Sequence, residues 1–87
     1  MHETGIVRDL IRRVEATARA NGAVRVSGVR VWLGALTQFS ADHFREHFDE
    51  DASGTLVEGA TLVITASDDE GDPRAQSVLL ESVDIET

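Results

Sequence analysis

The sequence predicts a two-layer α+β domain in which two helices cover one face of a three-stranded sheet, in the order α-β-α-β-β. Three observations predict it. Residues 6–20 place apolar side chains at helical spacing, residues 24–33 and 61–66 are rich in β-branched side chains, and a polar stretch at 67–76 precedes a last apolar segment at 77–85. With 87 residues and no internal repeat or linker, the chain is expected to form a single domain, residues 1–87. A domain of this size buries only roughly 60% of its unfolded surface, so a partner or metal that binds the folded state adds materially to its stability.

In the first helix Val7, Leu10, Ile11, Val14 and Ala18 share one face, while Arg8, Asp9, Arg12, Arg13, Glu15 and Arg19 fall elsewhere. Glu3 or Thr4 stands where the N-cap is expected, and Asn21-Gly22 supplies a left-handed stop. The segment Val24–Leu33 reads as a strand with Val29, Val31 and Leu33 on one face and Arg30 and Trp32 on the other. Val24 and Val26 are out of phase with that set across Ser27-Gly28, which predicts a bulge or a late strand start. Gly34 ends the strand. Ser40 is expected to cap a second helix over residues 41–51, with Phe44 and Phe48 as its buried stripe and Phe39 packing back as a staple. After Ser53-Gly54-Thr55, residues 61–66 form the second strand and residues 77–85 the third. The short acidic loop between them, 67–76, predicts that these two strands pair as an antiparallel hairpin.

The formal net charge of −8 is unevenly placed. Residues 1–41 hold six arginines and three acids, residues 42–87 two arginines and thirteen acids. An acidic chain of this kind is not expected to bind nucleic acid, which needs a basic face; its acids could attract cations or a basic protein surface, or simply keep the domain soluble. No run approaches the ~18 apolar residues of a membrane span, and the first twenty residues lack a basic start followed by an apolar block. The expected location is therefore the cytoplasm. The absence of cysteine excludes disulfides, thiolate zinc sites and cysteine nucleophiles together. Histidine occurs only at positions 2, 43 and 47, the serines fall in turns or caps, and no nucleophile elbow, phosphate loop or dinucleotide fingerprint is present. The chain is not expected to be an enzyme.

Two clusters carry metal-binding chemistry. Met1-His2-Glu3 sets a terminal amine, a peptide nitrogen, an imidazole and a carboxylate side by side, so that one ion can be chelated without a folded pocket. Nitrogen-rich, square-planar ligation suits Ni(II) or Cu(II), with Cu(II) generally the tighter of the two. An α-amino group ordinarily titrates near ~7.7–8 and imidazole near ~6.5, so affinity should fall on acidification. The second cluster is His43 and His47. Four residues apart on the second helix, their Cβ atoms are roughly 5–6 Å from each other, close enough to share an ion; two solvated histidines flanking the Phe stripe would show the same spacing.

Several ordered motifs together resemble the HypA/HybF family: Met1-His2-Glu3, a helix containing Leu10-Ile11, the run Val29-Arg30-Val31-Trp32-Leu33-Gly34-Ala35-Leu36, and Gly54-Thr55-Leu56-Val57-Glu58-Gly59-Ala60-Thr61-Leu62-Val63-Ile64. The likeness covers residues 1–66 and extends to the last strand. It implies a nickel metallochaperone for [NiFe]-hydrogenase maturation, with Ni(II) held at Met1, His2 and Glu3. The implied partners are the hydrogenase-maturation GTPase and, ultimately, the hydrogenase large subunit. Family members also carry a zinc module with paired CxxC motifs between the second and third strands. This chain has only the acidic loop 67–76 there, so zinc of that kind is not expected. An acid that can assist nickel in some members falls at or near Ser40, where no carboxylate is present; Asp42 is close but not equivalent, and Gly5 stands where the family often has serine. The alternative reading is a metal-free adaptor that keeps the fold and its docking surface.

Overall fold

The computed structural model describes the backbone of residues 3–87 and the side chains from Gly5 onward. Helix α1 spans Glu3–Ala20, strand β1 Arg25–Leu33, helix α2 Ala41–Ala52, strand β2 Thr61–Ala66 and strand β3 Val78–Glu86. The element order and the α+β class are those the sequence predicts. Helix α1 is described from Glu3 onward, so both expected cap positions, Glu3 and Thr4, have helical backbone. Its far end stops as expected. Asn21 and Gly22 turn back on the Ala18 and Arg19 carbonyls, and Gly22 takes a φ of 72°, a conformation that a residue without Cβ adopts freely.

The sheet corrects one expectation. Its strand order is β2-β1-β3, with β1 parallel to β2 and antiparallel to β3, so the second and third strands do not form a hairpin. Strand β1 is the one whose apolar set is almost wholly buried, Val26, Val29, Val31 and Leu33 all lying at 2% exposure or less. Central placement gives that strand a hydrogen-bonded neighbour on each side, while β2, mostly exposed along its length, takes an edge. The parallel β1–β2 pair needs a long crossover, which residues 34–60 with α2 provide. The chain leaving β2 then passes over the end of β1: Ser67 N–H donates to the Leu33 carbonyl at 2.8 Å, Leu36 N–H to Ala75 at 2.7 Å and Gly34 N–H to Ser77 at 2.9 Å. Gly34 is required there, because a Cβ at that position would overlap the Ala75 carbonyl.

The predicted bulge is present. Val26 pairs with Ile85 and Gly28 with Asp84, leaving Ser27 as the extra residue on β1. One more register shift lies between Arg30 and Val31 and leaves Glu81 unpaired on β3. The α1 stripe of Val7, Leu10, Ile11, Val14 and Ala18 and the α2 stripe of Phe44, Phe48 and Ala52 close over Val29, Val31, Leu33 and Leu62 in one core. Burying each such large side chain contributes roughly 1.5–3 kcal/mol. On the opposite face of the sheet the Arg74 guanidinium lies 5.3 Å from the centre of the Trp32 ring, which ties the acidic loop to β1 a further time.

Candidate metal centre on the second helix

The local sequence Phe39-Ser40-Ala41-Asp42-His43-Phe44 determines how α2 begins. Ser40 has extended backbone (φ −80°, ψ 162°), and its Oγ accepts the His43 N–H at 3.1 Å, the arrangement of an N-cap. Phe39 packs edge-on against Phe44 with ring centres 5.3 Å apart, which is the expected staple. Phe44 and Phe48 are then driven into the core, at 0% and 1% exposure. With that face buried, His43 and His47 are left on the half-exposed flank.

On that flank the two imidazoles meet. His47 Nε2 and His43 Nε2 stand 3.0 Å apart, and the ring centres are separated by 4.7 Å. At this distance an N–H of one ring donates to the lone pair of the other. Phe39 lies against both, 5.9 Å from His43 and 6.4 Å from His47 between ring centres. The staple was legible in the sequence; its contact with the histidine rings was not. Ser40 spends its hydroxyl on the helix cap, and Asp42 is exposed in the first turn. A turn beyond His47, one carboxylate oxygen of Asp51 is buried without a hydrogen-bond partner, a feature that no sequence signal announced. Among the described residues, no three histidine or acidic side chains converge on one point, so the pair supplies two donors.

The other predicted cluster is placed only in part. Met1 and His2 lie outside the described residues, as does the Glu3 side chain; the Glu3 backbone opens α1. Ile6, one helical turn further on, shares a cleft of about 480 Å³ with Leu36, Thr37, Gln38, Phe39, Gln76 and Val78. The start of α1 and the entry to α2 are therefore brought together across Phe39, the residue that also backs the histidine pair. Among the described residues no helix is long and apolar enough to cross a membrane.

Comparison with known proteins adds the family. The sequence pattern of hydrogenase/urease nickel incorporation, metallochaperone, HypA matches residues 1–72. A hydrogenase maturation factor HypA from Chlorobium limicola is 41% identical over 64 residues, which cover 74% of this chain and 55% of that protein. The factor of the same name from Chlorobium luteolum is 38% identical over 71 residues, covering 82% of this chain and 61% of its own. The chain thus spans somewhat over half the length of these relatives. The solution structure of the Ni metallochaperone HypA from Helicobacter pylori superposes with a TM-score of 0.82 over 99% of this chain and 98% of that one, at 21% identity, and so shares the fold. A match running from residue 1 to residue 72, on a chain with the same order of elements, establishes that this protein belongs to the HypA family.

Proposed function

We propose that the chain is a nickel metallochaperone, carrying Ni(II) as cargo for insertion into a [NiFe]-hydrogenase during its maturation. The observation that supports this reading most directly is the family match over residues 1–72, a span that includes Met1, His2 and Glu3. In this reading the ion is held by the Met1 amine, a backbone nitrogen, the His2 imidazole and the Glu3 carboxylate. The buried stripe of α1 begins at Val7, beyond these three residues in sequence, so ligands can be exchanged one at a time with an acceptor while that stripe stays packed. Nickel enters and leaves without unfolding, and no bond of a substrate is made or broken; the role is delivery, not catalysis.

The partners in this reading are the hydrogenase-maturation GTPase and the hydrogenase large subunit, met in the cytoplasm. The charge of −8 disfavours nucleic acid and favours a basic docking face. The same proposal takes residues 1–87 as one nickel-binding domain, with the loop 67–76 where other members insert their zinc module. That loop is organised by its own acids. The Asp69 carboxylate accepts the Gly71 N–H at 3.0 Å and that of Asp72 the Arg74 N–H at 2.7 Å, so the connection closes without a metal cluster of cysteine type.

The test is calorimetric and optical titration of Ni(II) into protein beginning at an unmodified, tag-free Met1, beside the His2→Ala variant. The expected result is one tight site in the parent and its loss in His2→Ala. Absence of tight binding in the parent would leave the fold as a docking adaptor without cargo.

A further inference from the structure

We propose that His43 and His47 form a second metal site, a two-imidazole clamp that takes a divalent late-transition ion such as Cu(II) or Ni(II) through the Nε2 atoms of both rings. The proposal is argued from α2 and the Phe39 staple alone. Its first support is the distance. With metal–nitrogen bonds of ~2.0–2.1 Å, two nitrogens in neighbouring positions at a right angle are about 2.9 Å apart, and at a tetrahedral angle about 3.3 Å. The observed Nε2···Nε2 separation is 3.0 Å. The rings therefore already hold the right-angle spacing of a square-planar or octahedral ion, the geometries that Ni(II) and Cu(II) prefer.

The second support is that this spacing is built into the fold. The helix bearing both residues is fixed by the Ser40 cap and by the burial of Phe44 and Phe48, and the Phe39 ring backs the two imidazoles. A clamp whose rings are already ordered loses little rotamer freedom when an ion arrives. In the metal-free protein an N–H···N hydrogen bond joins the rings. For both lone pairs to face an ion, the ring that donates from Nε2 takes its other tautomer, with the proton on Nδ1, and no net charge is lost. The half-exposed setting leaves room for water in the remaining coordination positions. Position 43 is in the first turn of α2, where the helix dipole opposes a cation, but Asp42 and Glu46 on the same helix offset it. With two protein donors the clamp binds weakly and exchanges quickly, which suits an ion in transit.

The experiment uses the full chain carrying His2→Ala, with Cu(II) alone and Ni(II) alone as probes. Calorimetry gives stoichiometry and affinity. Imidazole Cδ2 and Cε1 resonances followed during Cu(II) addition give the location without altering the pair. One equivalent of ion should bind in the His2→Ala background, broadening the His43 and His47 signals together. Adding His47→Gln should weaken that binding by about tenfold or more, since even the loss of an outer-shell partner costs that much. Far-UV circular dichroism of the Gln variant controls for helix loss. No binding in His2→Ala, or binding that leaves the His43 and His47 resonances unbroadened, overturns the clamp. The terminal site is judged separately, by whether the tight phase of the parent disappears in His2→Ala. Either site can therefore fail without the other.

Discussion

Four side chains show how unequally the core, the caps and the surface share the stability of this domain. Phe44 is fully buried in the shared core, and Phe44→Ala is expected to cost about 3–5 kcal/mol through lost burial and the cavity left behind. Ser40→Ala removes only the acceptor for the His43 N–H and should cost about 1 kcal/mol. Between them lies Glu15, whose Oε2 accepts the Leu56 N–H at 3.1 Å and so fastens the loop before β2 to α1. Leu56 in turn accepts the Val26 N–H through its carbonyl, at 2.9 Å. Glu15→Ala leaves a partly buried N–H without its charged acceptor, and about 1.5–3 kcal/mol should be lost. The Arg19 partner of Glu15 is 67% exposed, so Arg19→Ala should cost under about 1 kcal/mol. Urea denaturation of the four variants checks the ranking Phe44, Glu15, Ser40, Arg19; an Arg19 loss equal to that of Glu15 would show that the ion pair, not the backbone contact, carries the effect.

Among the elements, two glycines make opposite predictions from the same substitution. Gly5 lies within α1 with open space around it, so Gly5→Ala should raise stability by about 0.5–1 kcal/mol through the unfolded state. Gly34 ends β1 where the 67–77 connection crosses, and Gly34→Ala pushes a methyl group into the Ala75 backbone, for a loss of about 1–3 kcal/mol. Thermal melts of the two variants should shift in opposite directions. The contrast also marks what the sequence could say. Periodicity alone revealed the α1 stripe, and capping chemistry revealed Ser40 and Phe39, because those are contacts within a few residues. The placement of β1 between β2 and β3 was not legible from loop length, since a connection of this size can close a hairpin or cross a neighbouring strand. Only the burial of β1 on the assembled core decides between them. For the candidate site the i, i+4 spacing gave the pairing of His43 and His47, but the meeting of their Nε2 atoms depends on a Phe39 ring whose direction no local rule dictates. The Met1-His2-Glu3 triplet was legible as chemistry, and its geometry lies outside the described residues.

At the scale of the whole molecule, the last strand separates what the fold does from what the terminal residues do. The family match ends at residue 72, before β3 begins at Val78. Yet β3 covers one entire edge of β1, from Arg25 to Leu33, and Val78, Leu80, Val83 and Ile85 pack against the core. A chain cut after Ser77 leaves the most deeply buried strand with an open edge and withdraws those four side chains. In so small a domain, where total stability is only about 5–15 kcal/mol, the loss should abolish cooperative unfolding. Trp32 pairs with Leu79 in the intact sheet, so its fluorescence reports the change. The two metal clusters should respond differently. A chelate made of the Met1 amine, a backbone nitrogen and His2 is local in sequence and needs no tertiary contact, so tight Ni(II) binding should persist in the truncated chain. The His43–His47 clamp depends on an ordered α2 backed by Phe39, so Cu(II) binding in the truncated His2→Ala chain should fall towards that of a flexible peptide. Loss of the tight nickel site on truncation would mean that the terminal donors need the folded domain to complete their coordination, and would move the source of affinity from the triplet to the folded domain.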